Sequence, residues 1–177
     1  VAARAPEPRI VVFACSWYPL TAVDNAGEDG CQYPASTTVV PLDCGGSLTT
    51  AVVLQAFAGR ADGVLVAACG EGDCHYANGN ESCSEVVEEA RKLMALAGLP
   101  PERLRLELSS SVDGGEFASL VRAFSAEVVK LNGGARSKPR RKAAARAKGR
   151  ASSKPKRGRK RASRAKPKPR ARGRAAA

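Results

Sequence analysis

Acidic and aromatic residues are both missing from the last quarter of this 177-residue chain. Residues 134–177 hold no Asp, Glu, Phe, Trp or Tyr, but 20 Lys or Arg. The chain's 29 Lys and Arg less these 20 leave 9 against all 17 acidic residues, so the remainder carries a net charge of −8 and the formal +12 belongs to the end segment. Dense like charge, with no apolar residue larger than Ala after Leu131, cannot offset the entropy of folding. Residues 134–177 therefore read as a disordered Lys/Arg/Ala/Pro-rich tail. Also missing is any apolar run near the roughly 20 residues that a membrane helix needs. Val1–Glu7 offers no charged start followed by an apolar signal stretch. From these absences the expectation is a soluble, cytoplasmic protein without membrane insertion or a secretion signal, whose starting Met has been removed.

What remains is about 130 residues, ample for a single hydrophobic core. The division is a mobile leader over residues 1–8, one domain over 9–133, and the tail. Six cysteines would suffice for three disulfides, but that use suits small secreted chains. In a cytoplasmic domain cysteines more often bind metal or do redox chemistry.

Three short apolar runs each end at a cysteine. Arg9–Ala14 runs into Cys15, Thr38–Asp43 into Cys44 followed by Gly45 and Gly46, and Val64–Ala68 into Cys69. Each is too short for a helix and reads as a strand, the third buried on both faces of a parallel sheet. If the strands are parallel their carboxyl ends share one edge, where open α/β sheets place ligands. Cys15, Cys44, Cys69 and Cys74 then converge on one crevice, a metal or iron-sulfur constellation.

The intervening stretches supply helices. Ser47–Ala58 reads as a helix with Leu48, Val52 and Phe57 inward, ended by Gly59, and its start would favour a thiolate at Cys44. Ser82 and Glu85 fit a capping box ahead of Val86, Val87, Ala90, Leu93, Met94 and Ala97 at helical spacing. Leu104–Leu108 is a fourth strand, and Asp113 with Glu116 opens a last helix whose apolar face runs from Phe117 to Leu131. Ser16–Thr37 is long for a loop, so it is functional or hides a short helix. Its Trp17 and Tyr18 are the bulkiest pair available to cover the crevice, or Trp17 plugs the core edge. The alternation of elements implies an α/β fold, a small open parallel sheet of about four strands with helices on its faces.

The other candidates are weaker. Cys83 falls on the apolar helix face and reads as a small buried hydrophobe. Cys31 lies in the long loop as a surface thiol or a substitute ligand. His75, the chain's only histidine, either replaces a thiolate or, more simply, caps the loop and donates a hydrogen bond. The glycines between Cys69 and Cys74 resemble a phosphate cradle, but no Lys-Ser or Lys-Thr follows.

Taken together, Ala61–Val66 leading to Cys69, then Gly72-Asp73-Cys74-His75-Tyr76 with Gly79-Asn80, resemble the delta subunit of methyl-viologen-reducing hydrogenase, an iron-sulfur family also attached to heterodisulfide reductases and formate dehydrogenases. Phe13, Cys15-Ser16-Trp17, Asp24, Gln32-Tyr33-Pro34, Cys44-Gly45-Gly46 and Pro101–Glu107 support the likeness, which spans roughly Ile10–Asn132. It implies a 2Fe-2S cluster on Cys15, Cys44, Cys69 and Cys74, with Cys31 or His75 as substitutes. It also implies electron relay between a hydrogenase or dehydrogenase and a flavin-containing, heterodisulfide-reductase-like partner. Two positions depart from the pattern: Tyr18 stands where members carry a further cysteine, and Ser47 where they have arginine or a similar residue.

The tail is outside this likeness and looks like linker-histone tails. It is expected to bind nucleic acid or another polyanion through phosphates, or to pair with an acidic partner or with its own domain. Two other functions stay open, a zinc site in a binding module and a cluster-less scaffold tethered to nucleic acid by the tail.

Overall fold

The computed structural model describes residues 7–135, so residues 1–6 of the leader and 136–177 of the tail lie outside it. Four strands alternate with four helices: β1 (Ile10–Cys15), α1 (Tyr18–Glu28), β2 (Thr37–Leu42), α2 (Thr50–Ala58), β3 (Gly63–Ala68), α3 (Gly79–Leu96), β4 (Leu104–Leu108) and α4 (Gly114–Ala135). Short 3-10 turns at Gly45–Ser47 and Pro101–Arg103 complete the order. The four expected strands are present within one residue of the sequence reading. The long stretch after β1 hides α1, an 11-residue helix with Pro19 in its first turn.

All four strands pair in parallel, in the spatial order β2-β1-β3-β4. β1 therefore hands the chain to β2 on one side while the later strands extend on the other. Because crossovers between parallel strands are right-handed, this reversal puts the helices on opposite faces. Ile10, Val12, Ala14 and Leu65 meet Ala22 and Ala26 of α1 and Phe117, Val121, Phe124 and Val128 of α4. Phe13, Val64, Val66 and Ala68 meet Val53 of α2 and Cys83, Val87, Ala90 and Met94 of α3. All six residues of β3 are buried, as the uninterrupted apolar run requires of a central strand.

Two helix starts differ from the sequence reading. α2 begins at Thr50, capped by the Thr49 hydroxyl, which accepts from the Val52 N–H at 3.4 Å. Residues Gly45–Ser47 form the 3-10 turn instead, so Leu48 packs ahead of the helix and Val53, not Val52, faces the core. α3 begins at Gly79, and Ser82 lies inside it, donating its N–H to the Asn78 carbonyl at 3.1 Å rather than acting as a cap. α4 opens as expected, with the Asp113 carboxylate accepting from the Glu116 N–H at 2.8 Å. It continues to Ala135, two residues past Gly133. Among the described residues no helix is long and apolar enough to cross a membrane.

Candidate functional site

β1 and β3 are neighbours whose connections leave in opposite directions, and the crevice beyond their carboxyl ends is where open α/β sheets hold ligands. The register pairs Ala14 with Ala67, so Cys15 and Cys69 both emerge at the ends of these strands. Their Sγ atoms stand 3.5 Å apart, and both residues are 1% exposed. The other two thiols arrive from turns. Cys44 follows β2, and its Sγ accepts from the Gly46 N–H at 3.4 Å. Cys74 closes the loop after β3, and its Sγ accepts from the Gly79 N–H at 3.2 Å. Cys44 and Cys74 each shift the other's proton affinity.

The sequence-expected thiols thus come together as two pairs. Each pair feels the other electrostatically, Cys44 through Cys15 and Cys69 through Cys74. Among the described residues no set of three or more His, Cys, Asp or Glu side chains surrounds a single point as one metal ion would require. All six cysteines are free thiols, so the disulfide alternative is not realised.

Gly79 lets the second pair meet. A methyl group there would sit 2.3 Å from the Cys44 Sγ and 3.2 Å from the Cys74 Sγ. The N-terminus of α3 is consequently pressed against sulfur, with its unsatisfied N–H groups aimed at Cys74. Other contacts hold the rim together. The Ser16 N–H and hydroxyl both donate to the Leu42 carbonyl at 2.8 Å, tying the end of β1 to the end of β2. The buried Asn80 donates to the Gly70 carbonyl at 2.8 Å. Ser110, just beyond β4, accepts from the Gly70 N–H at 3.2 Å and donates to the Asp73 carboxylate, clamping the Cys69–Cys74 loop from the other side. Ser110 escaped the sequence reading; the only trace of it is the serine run Ser109–Ser111 at the fourth strand end on the same edge.

Cys44, Cys69 and Cys74 do not titrate alike. Burial pushes Cys69 up to about 11, helped by its hydrogen bond and charge interaction with Cys15 and opposed by the Tyr18 backbone N–H. Burial also raises Cys44, against the Gly46 N–H and with Cys74 and Cys15 adding to the rise. For Cys74 burial again raises, but backbone N–H donors from Tyr76, Asn80 and Gly79 together with Cys44 outweigh it, leaving the thiol below its usual range. Of these three, Cys74 therefore gives up its proton most readily, where the helix start supplies donors.

Around the rim Trp17, 41% exposed, stacks on His75 with ring centroids 3.6 Å apart and planes 21° from parallel. Tyr76, 57% exposed, stands edge-on to both rings. Trp17 is accordingly a rim residue, not a core plug. Cys83 is fully buried among the α3 core residues, and burial drives its thiol up to about 12. Cys31 follows the far end of α1, packed against the α1/α4 core at the edge opposite the four thiols.

A 2-1-3-4 parallel sheet with paired thiols at its switch point defines an α/β domain with a sulfur-lined rim. The chain belongs to the family of the methyl-viologen-reducing hydrogenase delta subunit, which matches residues 10–132. It is 38% identical over 125 residues to an iron-sulfur subunit of the F420-non-reducing hydrogenase of Archaeoglobus profundus, a likeness covering 71% of this chain and 91% of that protein. The corresponding iron-sulfur subunit of the vhu F420-non-reducing hydrogenase of Methanocaldococcus jannaschii is 34% identical over 125 residues, covering 71% and 93%. A subunit of the ferredoxin:CoB-CoM heterodisulfide reductase of Methanosarcina mazei is 32% identical over 124 residues, which is 70% of this chain but 16% of that protein.

Proposed function

We propose that the domain is a one-electron carrier holding a 2Fe-2S cluster on Cys15, Cys69, Cys44 and Cys74. The carrying observation is the grouping of the thiols into two pairs, Cys15 with Cys69 at 3.5 Å and Cys44 with Cys74 over Gly79. A two-iron cluster takes two protein ligands on each iron. A single zinc ion wants three or four around one point. The donor set is chemically apt as well, being all sulfur, with backbone N–H groups directed at Cys44, Cys69 and Cys74.

When bound, such a cluster supplies a reversible one-electron change. The chain's own part is electrostatic. N–H groups at the start of α3 favour negative charge on Cys74, and reduction adds negative charge, so these donors raise the tendency to accept an electron. Cys15 and Cys69 are shielded from water by the sheet. Cys44 and Cys74 are half-exposed beside the Trp17, His75 and Tyr76 rings, where a partner would approach.

The names of the relatives, a hydrogenase subunit and a heterodisulfide reductase subunit, support a donor of the hydrogenase kind and a heterodisulfide-reductase-like acceptor. The six free thiols suit a reducing compartment, so we place this work in the cytoplasm. The domain makes and breaks no substrate bond itself. Protein purified without oxygen should contain iron and acid-labile sulfide in equal amounts and a visible absorption that dithionite bleaches. A colourless protein holding one tightly bound zinc would overturn the reading.

A further inference from the structure

The folded body and the segment that follows it carry opposite charges that do not balance. Residues 134–177 hold 20 Lys or Arg and no acid, while the rest of the chain is −8. If the segment neutralised every unit of that −8, a cationic excess equal to the chain's whole net charge of +12 would still be unmatched. Pairing with the body alone therefore leaves the larger part of the segment's charge unused.

The residues between the cations narrow the choice of partner. Only Ala, Gly, Pro and Ser separate them, so there is no ring to stack on unpaired bases. Nor is there an apolar side chain large enough to enter a lipid interface. What is left is dense guanidinium and ammonium charge, a spacing that would be about one cation every 7 Å if the chain were fully extended. Duplex nucleic acid presents about one negative charge per 1.7 Å of axis, a density to which the segment can pair without needing any particular base.

The described body ends away from the thiols. α4 starts at Gly114, beyond the carboxyl end of β4, and runs back against the strands. Near its end Asn132 donates to the Asp62 carboxylate at 3.3 Å, immediately before β3 begins. The chain thus leaves the described body at the sheet edge opposite Cys15, Cys44, Cys69 and Cys74.

We propose that residues 134–177 bind duplex nucleic acid through its phosphates, without sequence preference. The inference does not depend on the electron-carrier reading. The test titrates the full chain onto a labelled duplex of about 30 base pairs, a shuffled duplex, a single strand of equal charge and phosphatidylserine-containing vesicles, at about 50 and 200 mM salt. Equal affinity for the two duplexes is expected, falling about a thousandfold or more between the two salts if six or more phosphates are engaged. In a second full-length variant all twelve Lys and Arg from Lys154 to Arg174 become Gln, which brings the net charge to zero. This variant keeps the eight cations from Arg136 to Arg150, so it should bind the duplex more weakly and with a smaller salt slope while keeping the iron content of the unmodified chain. Unchanged duplex binding by the neutral variant, affinity indifferent to salt, or tighter binding of the single strand or the vesicles would overturn the proposal. Iron and sulfide assayed on the same samples report separately on the rim.

Discussion

A bare α-carbon at Gly79 allows two sulfurs to share the start of a helix. The Cβ of an alanine there would fall 2.3 Å from the Cys44 Sγ, closer than any stable contact, and Cys44 is fixed from behind by the turn at Gly45–Ser47. Gly79→Ala should therefore halve the iron retained per chain or worse, while far-ultraviolet circular dichroism stays unchanged. Gly27→Ala, in open space on α1, is the control that should retain full loading. Cys83 makes the opposite kind of case, because its sulfur serves only the core. Its folded-state value of about 12 lies above the ordinary 9.0, so the folded chain favours the neutral thiol. That contribution to stability is complete below pH 9 and is lost as pH rises from 9 towards 12. Denaturant titrations of metal-free protein should accordingly show a steeper alkaline decline for the native sequence than for Cys83→Ala. Equal slopes would mean that Cys83 is not buried as a thiol. Of these roles the sequence revealed the helix-face position of Cys83, through its spacing from Val86 and Val87. It did not reveal that Gly79 begins α3, because the acceptor for that N–H is a sulfur five residues away and not a side-chain cap at Ser82.

Helices α1 and α4 pack so closely that their contact tolerates no side chain at Gly114. A Cβ there would lie 2.3 Å from the Ala26 nitrogen and 2.5 Å from its α-carbon, and backbone cannot rotate aside as a side chain can. Gly114→Ala should cost about 1–3 kcal/mol of stability, as overpacking generally does, visible as a lowered denaturation midpoint. Asp113→Ala, which removes the bond to the Glu116 N–H, should cost about 1 kcal/mol. The cap was legible because Asp followed by Glu three positions later is a local pattern. The close approach was not, since nothing in Gly114-Gly115 names Ala26 as its neighbour across 88 positions of sequence. The same distinction explains α1: its buried residues, Pro19, Ala22 and Ala26, are small and offer little periodic signal, so only the length of the stretch hinted at a helix. Strands, by contrast, were legible to within a residue because runs such as Val64–Ala68 are bounded by glycine on one side and cysteine on the other.

Strand order is the level at which separate segments become one site. The sequence implied parallel strands, but it is the order β2-β1-β3-β4 that sets β1 beside β3 and brings Cys15 to Cys69. Pairwise neighbours in space are not encoded in the local residues, and the grouping of four thiols into two pairs was equally invisible. This architecture has a thermodynamic consequence. The four sulfurs come from the ends of three different strands and from the Cys69–Cys74 loop, so a centre bound to all of them would tie those ends together and contribute its binding energy to folding. Chelation or oxidation that strips the iron should then lower the melting temperature by several degrees without changing the helix content at low temperature. Cys69→Ser removes one anchor of the buried pair, and the resulting chain should melt with metal-free native protein, not with the loaded form. A Cys69→Ser protein that melts as high as the loaded native chain would separate the thiol rim from any structural role in holding a cluster.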